Sequence, residues 1–197
     1  MTETSAITAA KAALRETAKA VRAEAGRKHG QAASETIAEF GIAFAAPRPG
    51  ATVSGFAAIG EEIDPLPLML RLSGEGHPLA LPAMQGKAKP LRFHRWQPGD
   101  EMAEKMWGIK EPLPTAPPAD PDIVLVALLA FDRRGYRLGY GGGFFDRTLA
   151  AARQHRPIIA IGLAYDEQEV PDVPRLDYDQ RLDWILTPSG PRKCDPA

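Results

Sequence analysis

The residues best suited to chemistry lie in the segment RRGYRLGYGGGFFDR, residues 133–147, which holds five glycines, three of them consecutive. It follows the apolar run DIVLVALLAF and precedes a helix-like stretch. Because glycine has no Cβ, the backbone N–H groups of such a turn can approach a ligand closely, and a following helix start adds a positive dipole end. Arg137 and Arg147 would add charge-assisted contacts. The pattern predicts a phosphate-bearing ligand, although a glycine-rich turn without a ligand is also consistent with it.

Asp146 lies in the first turn of the predicted helix, where a carboxylate commonly stabilises the helix end. Beside bound phosphates the same carboxylate would be repelled unless a cation lay between them. Mg²⁺ meets both requirements, since it takes carboxylate and phosphate oxygens together with water. The segment lacks the lysine and Ser/Thr of a Walker motif, and its glycine spacing is not G-x-G-x-x-G. It therefore indicates a phosphate site of another kind.

Composition excludes several classes of protein. The chain has 197 residues, of which 44% are hydrophobic and 25% charged, which is typical of a soluble globular protein, and we expect one domain over residues 1–197. The near balance of 24 basic and 25 acidic residues argues against a nucleic-acid partner. The one cysteine excludes a disulfide within the chain. No apolar run reaches the ~18 residues of a membrane span, and no secretory leader is evident, so we expect no membrane partner and a cytoplasmic location.

The elements that must position these residues alternate between strand and helix. Two helices are predicted near the start, over residues 5–25 and 34–44, and a short polar helix is predicted within PGDEMAEKMWGIKEP. Further helices are expected at PLMLRL and FFDRTLAAARQH. Strands are expected at ATVSGFAAIG, HPLALPAM, PLRFHRW, DIVLVALLAFD, RPIIAIGLAYD and RLDWILTP. Since the central strands are apolar on both faces, the pattern predicts an α/β fold with a mainly parallel sheet and helices on both faces.

The first predicted helix has two distinct faces. Apolar residues recur every seven positions and are expected to face the core: Ile7, Leu14 and Val21. In the second helix, Ile37, Phe40 and Phe44 are expected inward. Cationic residues of the first helix form a stripe: Lys11, Arg15, Lys19 and Arg22. Taken alone, such a stripe is typical of a solvated helix face.

The segment LLAFDRRGYRLGYGGGFFDR resembles the signature of the 5-formyltetrahydrofolate cyclo-ligase family, also called 5,10-methenyltetrahydrofolate synthetases. Other stretches recur in the family's order and at similar spacing: KAALR, GEEIDP, LALP, WGIKEP, IGLAYDEQ and DYDQRLDWILTP. The resemblance implies a Rossmann-like three-layer domain. It also implies conversion of 5-formyltetrahydrofolate to 5,10-methenyltetrahydrofolate with ATP and Mg²⁺, giving ADP and phosphate. The family usually has Tyr-Tyr where this chain has Phe144 and Phe145, so a phenol hydroxyl is missing here.

The resemblance also implies roles for individual residues. ATP phosphates would be bound by two helix cations, Lys11 and Arg15, and by a cradle of Arg137, Leu138, Gly139, Tyr140, Gly141, Gly142, Gly143, Phe144 and Phe145. The catalytic residues would be Arg137, Tyr140, Gly142 and Phe144. Mg²⁺ would be held by Asp146 and Asp179, although Asp179 by itself is an ordinary loop acid.

Folate would contact Ala57, Glu62, Trp107, Tyr140, Gly141, Gly142, Gly143 and Phe144. The Glu62 carboxylate can accept two adjacent pterin N–H donors side by side. Trp107 would pack on a flat ring of the folate, but it is equally suited to a buried core. Softer candidates for the pocket wall are Phe56, Met84, Glu111 and Pro112.

A polyglutamate tail on the folate would call for a basic patch, for which Lys87, Lys89, Arg92 and Arg95 are candidates, as they are for a solvated surface. We expect a monomer with a small-molecule folate substrate. Two alternatives remain at the level of sequence: a sugar-phosphate isomerase on a related scaffold, and a folate- or nucleotide-binding protein without turnover.

Overall fold

The computed structural model describes residues 2–105 and 108–196. The helices within these residues are α1 (Glu3–Phe40), α2 (Leu66–Gly74) and α3 (Phe144–Arg153), with 3₁₀ turns at Ala43–Ala45 and Asp166–Gln168. The strands are β1 (Val53–Ser54), β2 (Leu79–Ala83), β3 (Arg92–Arg95), β4 (Met102–Glu104), β5 (Lys110–Pro112), β6 (Pro118–Ala119), β7 (Ile123–Ala127), β8 (Ala130–Phe131), β9 (Arg137–Leu138), β10 (Ile159–Leu163), β11 (Trp184–Thr187) and β12 (Gly190–Lys193).

One large sheet carries the fold, with the strand order β12-β11-β10-β7-β1-β2-β3-β6. The five strands from β11 to β2 run parallel, whereas β12, β3 and β6 join antiparallel at the edges. The registers at the centre pair Val53 with Ile123 and Ile161 with Leu125. Two small hairpins, β4–β5 and β8–β9, lie outside this sheet. The predicted mainly parallel sheet is confirmed.

The strand β7 shows why three layers form. Its residues alternate between the two faces of the sheet, so Ile123 and Leu125 pack into the core beneath α1 and α2. Val124 and Val126 instead pack into the core on the other face, where Leu149 of α3 lies. An isolated strand pair could not bury both of these faces, whereas helices on each side can. The predicted α/β class with helices on both faces is therefore confirmed.

Helix α1 is longer than the sequence pattern indicates. It is one helix of 38 residues, not two, and it begins at Thr2, whose hydroxyl accepts a hydrogen bond from the backbone N–H of Ser5. The alanine-rich sequence contains no proline that would break it. A Cβ on Gly26 would lie 2.5 Å from the Cβ of Glu61. Glycine at this position therefore lets the loop after β1 approach the helix axis closely.

The buried face of α1 is also not the predicted one. Val21 was expected in the core but has 39% of its surface exposed, and Ile7 and Leu14 are half-buried. The buried residues of the first half are Lys11, Ala18, Arg22, Ala25 and Gly26. Small alanines on this face let the helix lie close to the loops at the sheet edge, and the two cations find partners there. The predicted solvated stripe is thus largely a packing surface.

Two further predictions were wrong. Phe40, expected to point inward, is largely exposed, while Phe44 is half-buried and packs on Trp184 with ring centroids 4.9 Å apart. The segment expected to form a short polar helix instead forms the β4–β5 hairpin. Tertiary contacts outweigh helix propensity there: β5 lies beside β2, and the carboxylate of buried Glu111 accepts a hydrogen bond from the N–H of Met84 at 3.1 Å. None of the described helices is both long enough and apolar enough to span a bilayer.

Candidate active site

The candidate site lies where the parallel strands of the sheet end. Loops leave the carboxyl ends of β1, β2, β7 and β10 at one edge, which is the usual ligand position in parallel α/β sheets. Helix α3 starts at this edge, because it connects β7 to β10 and must begin near the end of the first strand. The glycine turn 139–143 joins β9 to α3. The segment that drew attention in the sequence therefore lies at the edge where a ligand is expected.

The backbone of the turn adopts conformations that favour glycine. Gly141 has φ of +100°, and Gly143, with φ of +64°, is the residue preceding α3. A Cβ on Gly142 would lie 2.8 Å from two carbons of the Phe144 ring. The turn is also open, since Tyr140 has 54% of its surface exposed and Gly141 and Gly142 are exposed as well. A ligand can therefore reach the backbone without displacing core residues.

Two cations of α1 meet this turn. The Nε of Arg15 donates to the carbonyl oxygen of Gly139 at 2.8 Å. Lys11, buried one helical turn earlier, forms an ion pair with Asp179. By contrast, Lys19 of the same stripe is exposed and pairs only with nearby Glu16. The structure thus separates two stripe residues with predicted ATP contacts from one that is simply solvated.

The two acids predicted to bind metal both act on buried Arg137, Asp146 by direct contact and Asp179 through its charge. Asp146 accepts hydrogen bonds through Oδ1 from Arg137 at 2.8 Å and from the backbone N–H of Gln180 at 2.9 Å. Asp179 accepts through Oδ2 from Lys11 and from the N–H of Leu176 at 2.6 Å. Burial lowers the pKa of Arg137, and the negative charges of Asp146 and Asp179 oppose that change. Both acids are therefore close enough to act on the same guanidinium.

These carboxylates fit a Mg²⁺ ion that also binds phosphate. In the described part of the chain, the hydrogen bonds to Asp146 all go to Oδ1 and those to Asp179 all go to Oδ2, so each acid keeps one oxygen for another ligand. Over the same residues there is no cluster of three or more metal-ligating side chains. Mg²⁺ commonly takes only one or two carboxylates, with phosphate oxygens and water completing its shell. The two acids suit an ion that arrives with a nucleotide.

Glu62, the predicted folate carboxylate, is buried beside α1. Its Oε1 accepts from Arg22 at 2.8 Å, and its Oε2 accepts from the N–H of Ile59 at 2.9 Å. Burial raises the pKa of Glu62, and the hydrogen bond from Ile59 and the charge of Arg22 oppose the rise. Arg22 also donates to the hydroxyl of Tyr140, with its guanidinium carbon 5.2 Å from that ring's centroid. One arginine thus contacts both the loop after β1 and the glycine turn.

Sequence reasoning placed Arg22 in the stripe but gave it no part in the site. The spacing between Lys11 and Arg22 could have indicated that Arg22 belongs to the site. Eleven residues on an α-helix return to within about 20° of the same direction, so Lys11 and Arg22 must share a face. Lys11 is predicted to contact phosphates, so an arginine on the same face of the helix is a candidate for the same site.

The remaining predicted residues are distributed around this edge. Phe56 is buried and Ala57 half-buried in the loop after β1, and Met84 follows β2. Leu138 is buried in the core, so it can offer only backbone to a ligand, whereas Phe145 is half-buried against the core beneath α3. Trp107 lies outside the described residues. Glu111 and Pro112 are buried on β5.

The proposed basic patch is divided between the two edges of the sheet. Lys87, Lys89 and Arg92 are exposed around the loop that leaves the carboxyl end of β2. Arg95 instead pairs with Ala80 in the other half of β2. It lines a cavity of about 520 Å³ together with residues that precede β2. That cavity is remote from the glycine turn, so we assign no part of the reaction to it.

The fold and the site together define a three-layer α/β protein with an exposed glycine turn, two nearby carboxylates and two helix cations at the carboxyl edge of its sheet. The chain belongs to the 5-formyltetrahydrofolate cyclo-ligase family, whose model matches residues 7–188. The predicted family, fold class and enzymatic nature are thereby confirmed.

Named relatives agree with this membership. A 5-formyltetrahydrofolate cyclo-ligase of Mycolicibacterium smegmatis is 33% identical over 147 residues, covering 71% of this chain and 74% of the relative. The Escherichia coli K12 enzyme of the same name is 35% identical over 143 residues, covering 70% and 78%. The solved structure of Aquifex aeolicus 5,10-methenyltetrahydrofolate synthetase superposes with a TM-score of 0.77 at 25% identity, covering 95% of this chain and 94% of that one. A Mycoplasma pneumoniae synthetase has a TM-score of 0.70 at 22% identity, over 90% and 98%, and shows the fold alone.

Proposed function

We propose that this enzyme converts 5-formyltetrahydrofolate and ATP, with Mg²⁺, to 5,10-methenyltetrahydrofolate, ADP and phosphate. One observation carries the proposal beyond family membership. An exposed glycine turn is contacted by Arg15, while Lys11 of the same helix pairs with Asp179, and Asp179 and Asp146 both act on buried Arg137. That arrangement suits a triphosphate with its metal ion better than it suits a neutral ligand.

The reaction requires activation of an inert carbonyl group. A formamide is a poor electrophile because its nitrogen donates electrons into the carbonyl, and its oxygen is a poor leaving group. In the proposed scheme the formyl oxygen attacks the γ-phosphoryl group of ATP, which releases ADP. N10 then attacks the activated carbon and gives up its proton, the ring closes, and the C–O bond breaks so that the oxygen leaves as phosphate. Phosphoryl transfer of this kind depends mainly on positioning and on offsetting charge at the transferred group.

The nucleotide part of the site follows from the contacts described above. Arg15 lies against the turn, so its guanidinium can donate to phosphate oxygens that bind at the exposed N–H groups of residues 139–143. Lys11 would exchange its partner Asp179 for a phosphate oxygen. Mg²⁺, held by Asp146 and Asp179 through their unused oxygens, would offset negative charge on the phosphates. Arg137 remains buried and orients Asp146.

The folate part lies on the other side of Tyr140. Glu62 would accept two N–H groups of the pterin ring, with Ala57 in the same loop against its edge. Tyr140 and Phe144 flank the turn and would bring the formyl oxygen towards the γ-phosphoryl group. Trp107 remains a predicted stacking partner. The basic patch, the monomeric state, the single domain over 1–197 and a cytoplasmic location likewise remain predictions.

A turnover assay tests the proposal. Purified enzyme, 5-formyltetrahydrofolate, ATP and Mg²⁺ should together yield the absorbance of the methenyl product, with one ADP released per product molecule. Omission of ATP or of Mg²⁺ should abolish the signal. Binding of 5-formyltetrahydrofolate without release of ADP would indicate a binding protein instead, and product formation without ATP would refute the proposed activation step.

A further inference from the structure

Arg22 occupies an unusual position for an arginine in the middle of a long helix. It is only 7% exposed, and its two terminal nitrogens serve two different segments. Nη1 donates to Glu62 in the loop after β1, and Nη2 donates to the Tyr140 hydroxyl in the turn before α3. These segments are 78 residues apart in sequence, which follows from the numbers of Glu62 and Tyr140. The guanidinium is therefore a bridge between two loops: the proposed function gives the pterin ring to the first, and the phosphates with the formyl group to the second.

The surroundings of this bridge are incompletely satisfied. Within the described residues, neither the buried Nε of Arg22 nor the buried hydroxyl of Tyr165 has a hydrogen-bond partner. Tyr165 follows β10 at the same sheet edge, and the charges of Arg22, Glu61 and Glu62 all act on it. Buried polar atoms without partners raise the free energy of an arrangement. The Nε of Arg22 is therefore a buried donor that its described neighbours do not use.

We propose that Arg22 is a positioning residue that couples the binding of the two substrates. It orients the Glu62 carboxylate for folate and holds Tyr140, and with it the glycine turn, for the nucleotide. A ligand that orders one loop therefore orders the other through the same guanidinium, so the second ligand binds with less loss of conformational freedom. This inference rests on the proposed function, because it assigns the two loops to folate and to ATP.

Thermodynamic linkage makes the inference measurable. If nucleotide tightens the binding of folate, folate must tighten the binding of nucleotide by the same factor. For the native enzyme we expect a factor of about 5 or more, the lower end for coupled sites. Without the bridge, each ligand still binds its own loop, but the factor should fall towards one.

The experiment is calorimetric titration of 5-formyltetrahydrofolate with and without a non-hydrolysable ATP analogue and Mg²⁺, followed by the reverse order of addition. Arg22→Met should abolish the coupling. Tyr140→Phe should abolish it as well while leaving the ion pair of Arg22 with Glu62 intact, and the double variant should lose no more than either single one. Arg27→Met is the matched control, since Arg27 is exposed on the same helix and, among residues 2–105 and 108–196, its ion pair is with neighbouring Glu24.

The outcomes separate this inference from the proposed function. If the native enzyme binds both ligands without mutual enhancement, or if Arg22→Met and Tyr140→Phe keep the native factor, the coupling role is refuted and the proposed reaction stands. If the native enzyme does not bind 5-formyltetrahydrofolate, the proposed function fails and this inference fails with it. Tyr140→Phe keeps the test valid should Arg22→Met not fold, because the Tyr140 side chain is mostly exposed.

Discussion

Replacement of Asp146 by Asn should reveal two separate roles of this carboxylate, one in stability and one in catalysis. Asp146 is the ion-pair partner of Arg137, whose side chain is only 5% exposed, while that of Asp146 is 22% exposed. Asparagine keeps the shape, and its oxygen can still accept from Gln180, but it leaves the buried guanidinium without its nearest counter-charge. The substitution therefore removes the charge of the side chain while nearly preserving its size.

The magnitude follows from the geometry. The N–O distance is 2.8 Å, and charges at about 4 Å interact by about 4 kcal/mol at an effective dielectric constant of about 20. Removal of one partner of a fully buried pair costs about 3–5 kcal/mol. Since Asp146 is partly exposed, and Asp179 also offsets the Arg137 charge, we expect a loss of about 2 kcal/mol in the free energy of unfolding. Turnover should fall about 100-fold or more, because a neutral amide is a weaker ligand for the Mg²⁺ ion that, in the proposed function, offsets the charge of the phosphates.

Urea unfolding and steady-state kinetics at saturating ATP measure the two effects. Asp172→Asn is the control, because Asp172 pairs with Arg134 on the surface with 63% of its side chain exposed, and surface pairs contribute about 1 kcal/mol or less. Native turnover in Asp146→Asn would remove this residue from the metal site. Unchanged stability would show that Arg137 does not depend on it.

Three further predictions address the rest of the site. Gly142→Ala places a methyl group 2.8 Å from the Phe144 ring, so the ring must move. We expect kcat to fall about 10-fold or more, with little change in thermal stability. A native kcat would show that the turn tolerates the shift. Lys11→Ala removes a predicted phosphate contact and should raise the KM for ATP more than the KM for folate; an equal rise in both would contradict a nucleotide role. Burial raises the pKa of Glu62, so protonation at acid pH should weaken folate binding, and kcat/KM for folate should fall as pH decreases through a value above the ordinary ~4.3. Glu62→Gln should remove that acid limb, and a limb that persists would assign it to another group.

Local pattern predicted most of the architecture. The apolar runs that became β7 and β10 are long enough to be recognised as strands, and their lack of alternation correctly indicated burial on both faces. Local pattern failed where packing outweighed propensity. The polar stretch before Lys110 has no apolar periodicity to indicate a hairpin. Gly26 and Gly30 separate the two predicted N-terminal helices, yet helix α1 continues through both glycines.

The site was predictable in part, through glycine spacing and the order of its motifs. Gly141 and Gly143 do adopt positive φ angles. A glycine by itself can predict such an angle, because residues with a Cβ rarely adopt one. Arg22 was different. Its spacing from Lys11 could place it on the same helix face, but its contacts with Glu62 and Tyr140 join residues that no local rule relates.

The sequence by itself determined the layered α/β class, the position of the glycine turn before α3 and the family to which the chain belongs, because each depends on short-range periodicity or on residue identity. Only the tertiary structure decided which face of α1 is buried, which cations lie at the turn and which acids they pair with. The physical reason is that a charged side chain on a helix has the same local propensity in water as in the interior. Its burial is decided by whether folding brings an opposite charge or a backbone acceptor to it from elsewhere in the chain.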